Sequence, residues 1–140
     1  MVNTKEADRR ALAFTSLDEL KADLDRIESA HASGDLEHTG NWTPAQICDH
    51  LAAFWAHSLD GFPPGKPPLP IRVLMQMLFK KKAVSGQPPP PGFPIPSKAA
   101  FLLPNDSISF SEALARLRMC IDRTMQGDPF VEQSPLFGRL

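Results

Sequence analysis

Residues 41–61 read Asn-Trp-Thr-Pro-Ala-Gln-Ile-Cys-Asp-His-Leu-Ala-Ala-Phe-Trp-Ala-His-Ser-Leu-Asp-Gly, and this stretch decides the fold. Thr43 is a favourable N-cap, and Pro44 suits the first helical position, where no amide donor is needed. Gln46, three residues after Thr43, completes a capping box. The closing glycine can end the helix in a left-handed conformation. The stretch therefore predicts a helix over residues 44–60.

The apolar side chains of this helix cluster on one side when each residue turns the helix by 100°. The narrow arc that we expect to face the core consists of Ile47, Leu51, Phe54 and Ser58. Three further residues widen this arc on one side: Cys48, Trp55 and Leu59. Three residues are predicted to face away: Asp49, Ala53 and Ala56.

Two of the four histidines, His50 and His57, lie along the other border of the predicted core face. This is the one arrangement in the sequence that could carry chemistry. The two residues are seven positions apart, which is about 10.5 Å along a helix axis. A metal ion lies about 2.1 Å from a ligating nitrogen, so we do not expect one ion to join both rings. We interpret His57 as a plain helix-border residue and His38 as a loop residue.

Capping boxes begin two more amphipathic helices, at Ser16-Leu-Asp-Glu19 and at Ser109-Phe-Ser-Glu112. Apolar residues follow each box at spacings of three and four, and a glycine ends each run. The patterns predict helices over 16–32 and 110–126. No alternating strand pattern occurs, so the sequence predicts an all-α fold in a single domain, 1–140.

Residues 62–108 form a proline-rich crossover, since twelve of the 15 prolines lie there. Within it, residues 70–82 predict a short helix that is apolar around most of its circumference and ends in three lysines, which complement the helix dipole. We expect this helix to pack under the proline segments or to form an intersubunit contact. Residues 88–91 predict a short polyproline stretch used as a rigid surface crossover.

Composition excludes several classes of function. The net charge of -1 gives no electrostatic reason to expect nucleic acid as a partner. Cys48 and Cys120 lack metal or redox spacing, and we interpret both as small buried apolar residues. The longest apolar run, 71–79, is too short for a bilayer of about 30 Å. The N-terminus has no apolar signal core, so we expect a soluble cytoplasmic protein without a membrane partner.

The segment Gly40-Asn-Trp-Thr-Pro-Ala-Gln-Ile-Cys-Asp-His-Leu-Ala52, with Ser58-Leu-Asp-Gly61, resembles the second helix of the DinB-like superfamily. The chain looks most like a branch of it that is known only as a domain of unknown function. Segments along nearly the whole chain are similar to that branch: Arg9-Arg-Ala-Leu-Ala-Phe14, Pro70-Ile-Arg-Val-Leu, Pro90-Pro-Gly-Phe-Pro94, Leu103-Pro104 and Pro135-Leu-Phe-Gly-Arg-Leu140.

The resemblance implies an up-down-down-up bundle of four helices. Many members of the superfamily bind a divalent metal through three histidines, and His50 matches the ligand on the second helix. The other two usually form a His-x-x-x-His pair on a fourth helix, which in this branch would begin after Leu140. We therefore expect the fourth helix to be absent or incomplete, with His50 as the candidate metal ligand. His31, Asp49 or Asp60 could approach it.

Two functional hypotheses follow. The first is a DinB-like bundle protein without a complete three-histidine site, whose uncovered apolar groove is filled by another subunit, as in a homo-oligomer such as a dimer, by the 70–82 segment, or by both. The second is a hydrolase or small-thiol transferase that depends on a divalent metal, zinc or nickel. The sequence contains no phosphate-binding glycine loop and no glycine-flanked nucleophile.

Overall fold

The computed structural model describes residues 2–4, 6–8, 10–64, 69–77, 85, 95, 97–134 and 138–139. The helices are α1 (Leu17–Ser33), α2 (Pro44–Asp60), α3 (Leu69–Met75) and α4 (Phe110–Met125), with a 3-10 helix at Ser97–Leu102. Two antiparallel strands of two residues each, β1 (Gln133–Ser134) and β2 (Gly138–Arg139), follow α4. The all-α class and the three long helices are confirmed. No alternating pattern in the sequence predicted this small pair of strands.

The predicted capping residues begin the three long helices. The hydroxyls of Ser16, Thr43 and Ser109 each accept a hydrogen bond from the amide three residues later. Only the Thr43 box is shown to be reciprocal, because the Gln46 side chain accepts from the Thr43 amide at 2.9 Å. The carboxylate of Glu19 instead accepts from the amide and hydroxyl of Thr15. Local capping chemistry therefore sets the helix starts.

Helices α2 and α4 run in the same direction. Asp49 pairs with Arg116 near the start of the contact, and Trp55 donates to the Thr124 hydroxyl further along, at 2.9 Å. The residue numbers of the contacting pairs increase along both helices in the same direction, so α2 and α4 are parallel. A parallel pair needs a connection that returns along their full length, and the proline-rich crossover supplies it.

Helix α1 runs opposite to α4. Lys21 of α1 bonds Asp122 of α4 at 2.7 Å, whereas Glu28 of α1 bonds Arg118 of α4 at 2.8 Å. Residue numbers along α1 therefore rise as those of their partners on α4 fall. With α2 parallel to α4, the three long helices follow the first three steps of an up-down-down-up bundle.

The core lies where α4 meets α1 and α2. Its buried members are Leu24, Cys48, Ala52, Phe110, Ala113, Leu114, Leu117 and Ile121. Cys48 and Cys120 are both buried, as predicted.

The narrow arc predicted as the core face of α2 is wrong by a rotation of roughly 100°, whereas Cys48 and Leu59, predicted to widen that arc, are buried. Ile47, Leu51 and Phe54 remain 38%, 47% and 48% exposed. Asp49, predicted to face away, is only 4% exposed. Small residues of α2 such as Ala52 allow α4 to approach closely, and an ion pair compensates the burial of Asp49.

Helix α3 begins one residue before its predicted start at residue 70. The α-helical part ends at Met75, and residues 76–77 form a π-helical turn. Residues 78–82, with the three lysines, lie outside the described residues, as does the predicted polyproline stretch 88–91. Several apolar side chains of this segment are exposed rather than packed: Leu69, Val73, Leu74 and Met77.

Candidate functional site

The half-buried ring of His50 is held by a backbone carbonyl. Its Nδ1 lies 2.6 Å from the carbonyl oxygen of Leu102, at the end of the 3-10 helix. Because a carbonyl oxygen only accepts, Nδ1 carries the proton and donates it. In the neutral ring the Nε2 nitrogen then keeps its lone pair. Histidines that bind metals commonly have this arrangement, with the second ring nitrogen donating to a carbonyl or carboxylate.

The indole of Trp42 lies beside the same ring, with the two ring centroids 5.0 Å apart and the planes tilted by 59°. Trp42 immediately precedes the N-cap of α2, so the chain entering the helix forms one wall of the site. Gln46 donates from its side chain to Asp106 at 2.8 Å, which ties this end of α2 to the chain entering α4.

Asp49 is adjacent to His50 in the sequence but is committed to other partners. One carboxylate oxygen accepts from Arg116 on α4. The other accepts from the amide of Asn105 at 2.9 Å. Both oxygens are therefore occupied on the buried side of α2, and Asp49 does not join His50 in a donor set.

The remaining histidines are also dispersed. His57 Nδ1 donates to the carbonyl of Gly61 at 3.0 Å. His31 stacks on Phe110, with ring centroids 3.9 Å apart, instead of approaching α2. His38 is exposed in the link between α1 and α2, so its prediction as a loop residue is confirmed.

We tested whether these residues fit a divalent metal. Every His, Cys, Asp and Glu of the sequence lies in the part of the chain that the structure describes. Within that part, no group of three or more such residues could hold a metal ion. His50 offers one suitable nitrogen, which is not a metal centre by itself. We therefore derive no reaction step through a metal.

An aromatic cluster surrounds His57, which the sequence had suggested was a plain border residue. The ring lies edge-on to Phe101, at 4.8 Å between centroids, and near Phe62 at 5.9 Å. Phe62 in turn contacts Phe54 edge-on. Sequence reasoning missed this cluster because Phe101 returns from the far end of the crossover, where no periodic signal precedes it.

Asp60, considered as a supplementary ligand, is engaged by Arg123. The guanidinium donates to both carboxylate oxygens, at 2.7 and 3.0 Å, and also to Asp128 at 2.8 Å. Hydrogen bonding to this guanidinium lowers the pKa of the Asp60 carboxyl. The contacts fasten the end of α2 to the end of α4.

Neither thiol suits nucleophilic chemistry. Cys48 and Cys120 are free and buried, and desolvation raises the pKa of both thiols. A raised pKa leaves less of the reactive thiolate at neutral pH.

Helix α2 carries an apolar strip that the rest of the described chain leaves exposed. We call the side chains of Ile47, Leu51 and Phe54 the α2 stripe. Their spacing is four and then three residues, which keeps them on one line along the helix. The stripe contains no charged residue. Exposed apolar strips of this kind on soluble proteins mark contact surfaces.

The described residues define an all-α bundle protein with three long helices and an exposed apolar strip on α2. Residues 6–140 match a family described as protein of unknown function (DUF1569), and the chain belongs to that family. The predicted assignment to a domain of unknown function is thus confirmed, while kinship with the DinB-like superfamily stays a prediction. No curated protein and no solved structure matches the chain. Among the described residues, no helix is long and apolar enough to cross a membrane.

Proposed function

We propose that this protein is a single-domain DinB-like bundle protein of the cytoplasm that associates with a second copy of itself through the α2 stripe. The observation that supports this proposal is the exposure of three large apolar side chains on one line of α2. The two free, buried thiols, Cys48 and Cys120, support a reducing compartment.

A second copy is the occupant that fits the stripe best. Including Ser58, the spacing along α2 is four, three and four residues, which is the period of a helix-to-helix seam. Two identical stripes can meet across a two-fold axis without burying a charge. The net charge of -1 per chain opposes this approach only weakly.

The energy of such a contact indicates a weak dimer. Complete burial of a large apolar side chain contributes about 1.5–3 kcal/mol, so burying the exposed half contributes about 1 kcal/mol. Six half-exposed side chains, three from each copy, would contribute about 6 kcal/mol, against an association cost of at least about 4 kcal/mol. A micromolar dissociation constant needs about 8 kcal/mol net. The stripe alone leaves about 2 kcal/mol net, so we propose that the exposed apolar side chains of α3 also enter the interface.

The test is light scattering coupled to gel filtration on the wild type and two charge variants. Leu51→Glu places a carboxylate in the middle of the stripe and should abolish the dimer. Met119→Glu is the matched control, because Met119 is 61% exposed on α4, away from the stripe. We expect it to dimerise like the wild type. Equal dimer fractions for the two variants would contradict the proposal.

One observation favours a second function, a divalent-metal-dependent hydrolase or small-thiol transferase using zinc or nickel. His50 has its Nδ1 fixed by the Leu102 carbonyl, as in metal-binding histidines. Because no three donors converge, a second molecule would have to complete the ligand set. Elemental analysis of the purified protein and of His50→Ala tests this function. About one metal per chain, lost in the variant, would support it, and no metal in either protein would refute it.

A further inference from the structure

We infer that Asp49 is a positioning residue for His50: it anchors the chain entering α4 so that the Leu102 carbonyl keeps the His50 proton on Nδ1. The consequence, in the neutral ring, is an unprotonated Nε2 with a fixed direction. This inference requires neither self-association nor a bound metal, since the tautomer is a property of the folded chain alone.

Two consecutive residues of α2 each form a hydrogen bond to a backbone group of the chain that runs from the end of the 3-10 helix to α4. Asp49 accepts from the Asn105 amide at 2.9 Å, and His50 donates to the Leu102 carbonyl at 2.6 Å. These two backbone groups lie three residues apart. We call residues 102–105 the return segment.

The return segment is stiff, so fixing one end fixes the other. Pro104 restricts its own φ and confines the preceding Leu103 to extended conformations. The Leu103 amide donates back to the Ala100 carbonyl at 2.9 Å, which joins the segment to the 3-10 helix. The Asn105 side chain accepts from the Ser107 amide at 3.0 Å. Displacement of Asn105 should therefore carry the Leu102 carbonyl with it.

Asp49 acts on the ring only through this segment. Successive helical residues point about 100° apart, so the Asp49 side chain turns toward α4 while the His50 ring turns toward the return segment. Asp49 is 4% exposed, and its second oxygen is held by Arg116. A carboxylate buried between two donors has a fixed position, which suits it as an anchor.

The tautomer of a neutral histidine is decided by the hydrogen bond that one ring nitrogen makes. If the Leu102 carbonyl moves out of range, the preference for a proton on Nδ1 is lost. A net hydrogen bond of ordinary strength changes the ratio of the two tautomers by about fivefold. That shift is the quantity to measure.

Long-range proton–nitrogen correlation spectra of 15N-labelled protein, recorded at about pH 8 where histidine is neutral, report the tautomer of each ring. A His50→Gln variant assigns the His50 signals. The wild type should show His50 protonated on Nδ1. Asp49→Ala should shift the tautomer ratio by about fivefold toward a proton on Nε2. Arg118→Gln is the matched control and should leave the ratio unchanged, because Arg118 pairs with Asp25 and Glu28 on α1.

His57 provides the control inside each spectrum. Its Nδ1 donates to Gly61 on its own helix end, so Asp49→Ala should not alter its tautomer. Pro104→Gly covers the case in which Asp49→Ala fails to fold. It leaves the Asp49 contacts in place but loosens the return segment, and should also shift the His50 ratio.

A His50 ring protonated on Nε2 in the wild type would overturn the inference. So would an unchanged ratio in folded Asp49→Ala or, where that variant does not fold, in Pro104→Gly. Equal shifts of His50 and His57 would indicate a general loosening of α2 instead, and would also overturn it.

Discussion

Because the buried face of α2 differs from the predicted one, two leucines on different helices should contribute very differently to stability. Leu117 on α4 is 3% exposed in the core, whereas Leu51 on α2 is 47% exposed. Leu117→Ala should lower the free energy of unfolding far more than Leu51→Ala, although Leu51 was predicted to face the core.

The magnitudes follow from burial. Leu117→Ala loses about 2.4 kcal/mol of transfer free energy for three buried carbons, and the cavity raises the total to about 3–4 kcal/mol. Leu51→Ala loses about half the transfer term, leaves no enclosed cavity, and gains a few tenths of a kcal/mol in helix propensity. Its net cost should be about 1 kcal/mol or less.

Urea unfolding at a protein concentration of about 1 µM, where a weak dimer is dissociated, separates the two variants. With a denaturant slope of about 2 kcal/mol per molar urea, the midpoints should differ by about 1 M or more. Equal midpoints would refute the packing described for α2. A Leu51→Ala cost that appears only at high protein concentration would instead reflect association, which the concentration series separates.

Three further predictions concern charge, thiols and a helix end. The pKa of Asp60 is lowered by Arg123. The Asp60 carboxylate therefore stabilises the fold above its pKa in the unfolded chain, and this stabilisation is lost as pH falls through its pKa in the folded protein. Asp60→Asn should make the urea midpoint fall less steeply between about pH 6 and pH 3. Because burial raises the pKa of the Cys48 and Cys120 thiols, a thiol reagent at pH 8 should react slowly with native protein and rapidly once it is unfolded; equal rates would contradict the burial. Gly34 caps α1 at φ +80°, so Gly34→Ala should cost about 1 kcal/mol in thermal unfolding, and no change would contradict the left-handed cap.

Helix positions were predictable from the sequence because their signals are local. The hydroxyl of Thr43 and the amide of Gln46 are three residues apart, so the residues that specify the start of α2 are neighbours in the sequence. The same holds for the glycine that ends α1. Such contacts form in the same way whatever the rest of the chain does.

The buried face of α2 was not predictable from its own residues. The apolar arc followed the largest side chains, but burial was decided by the direction from which α4 approaches. Asp49 is buried because Arg116 faces it, and these two residues are 67 positions apart in the sequence. No pattern within α2 identifies that partner.

The contacts of the histidines were missed for a related reason. The sequence identified His50, but its hydrogen-bond partner is a backbone carbonyl, which any residue type could supply. The cluster at His57 depends on Phe101, from the crossover. A proline-rich connection carries no periodicity from which its return path can be inferred.

Sedimentation equilibrium of the wild-type protein tests the central claim, association through the α2 stripe, most directly. Over a concentration range of about 1 to 300 µM, the apparent mass should rise from 15.4 kDa for one chain toward about twice that value. Leu51→Glu should stay at the mass of one chain throughout. A wild-type mass of one chain at every concentration would contradict the account.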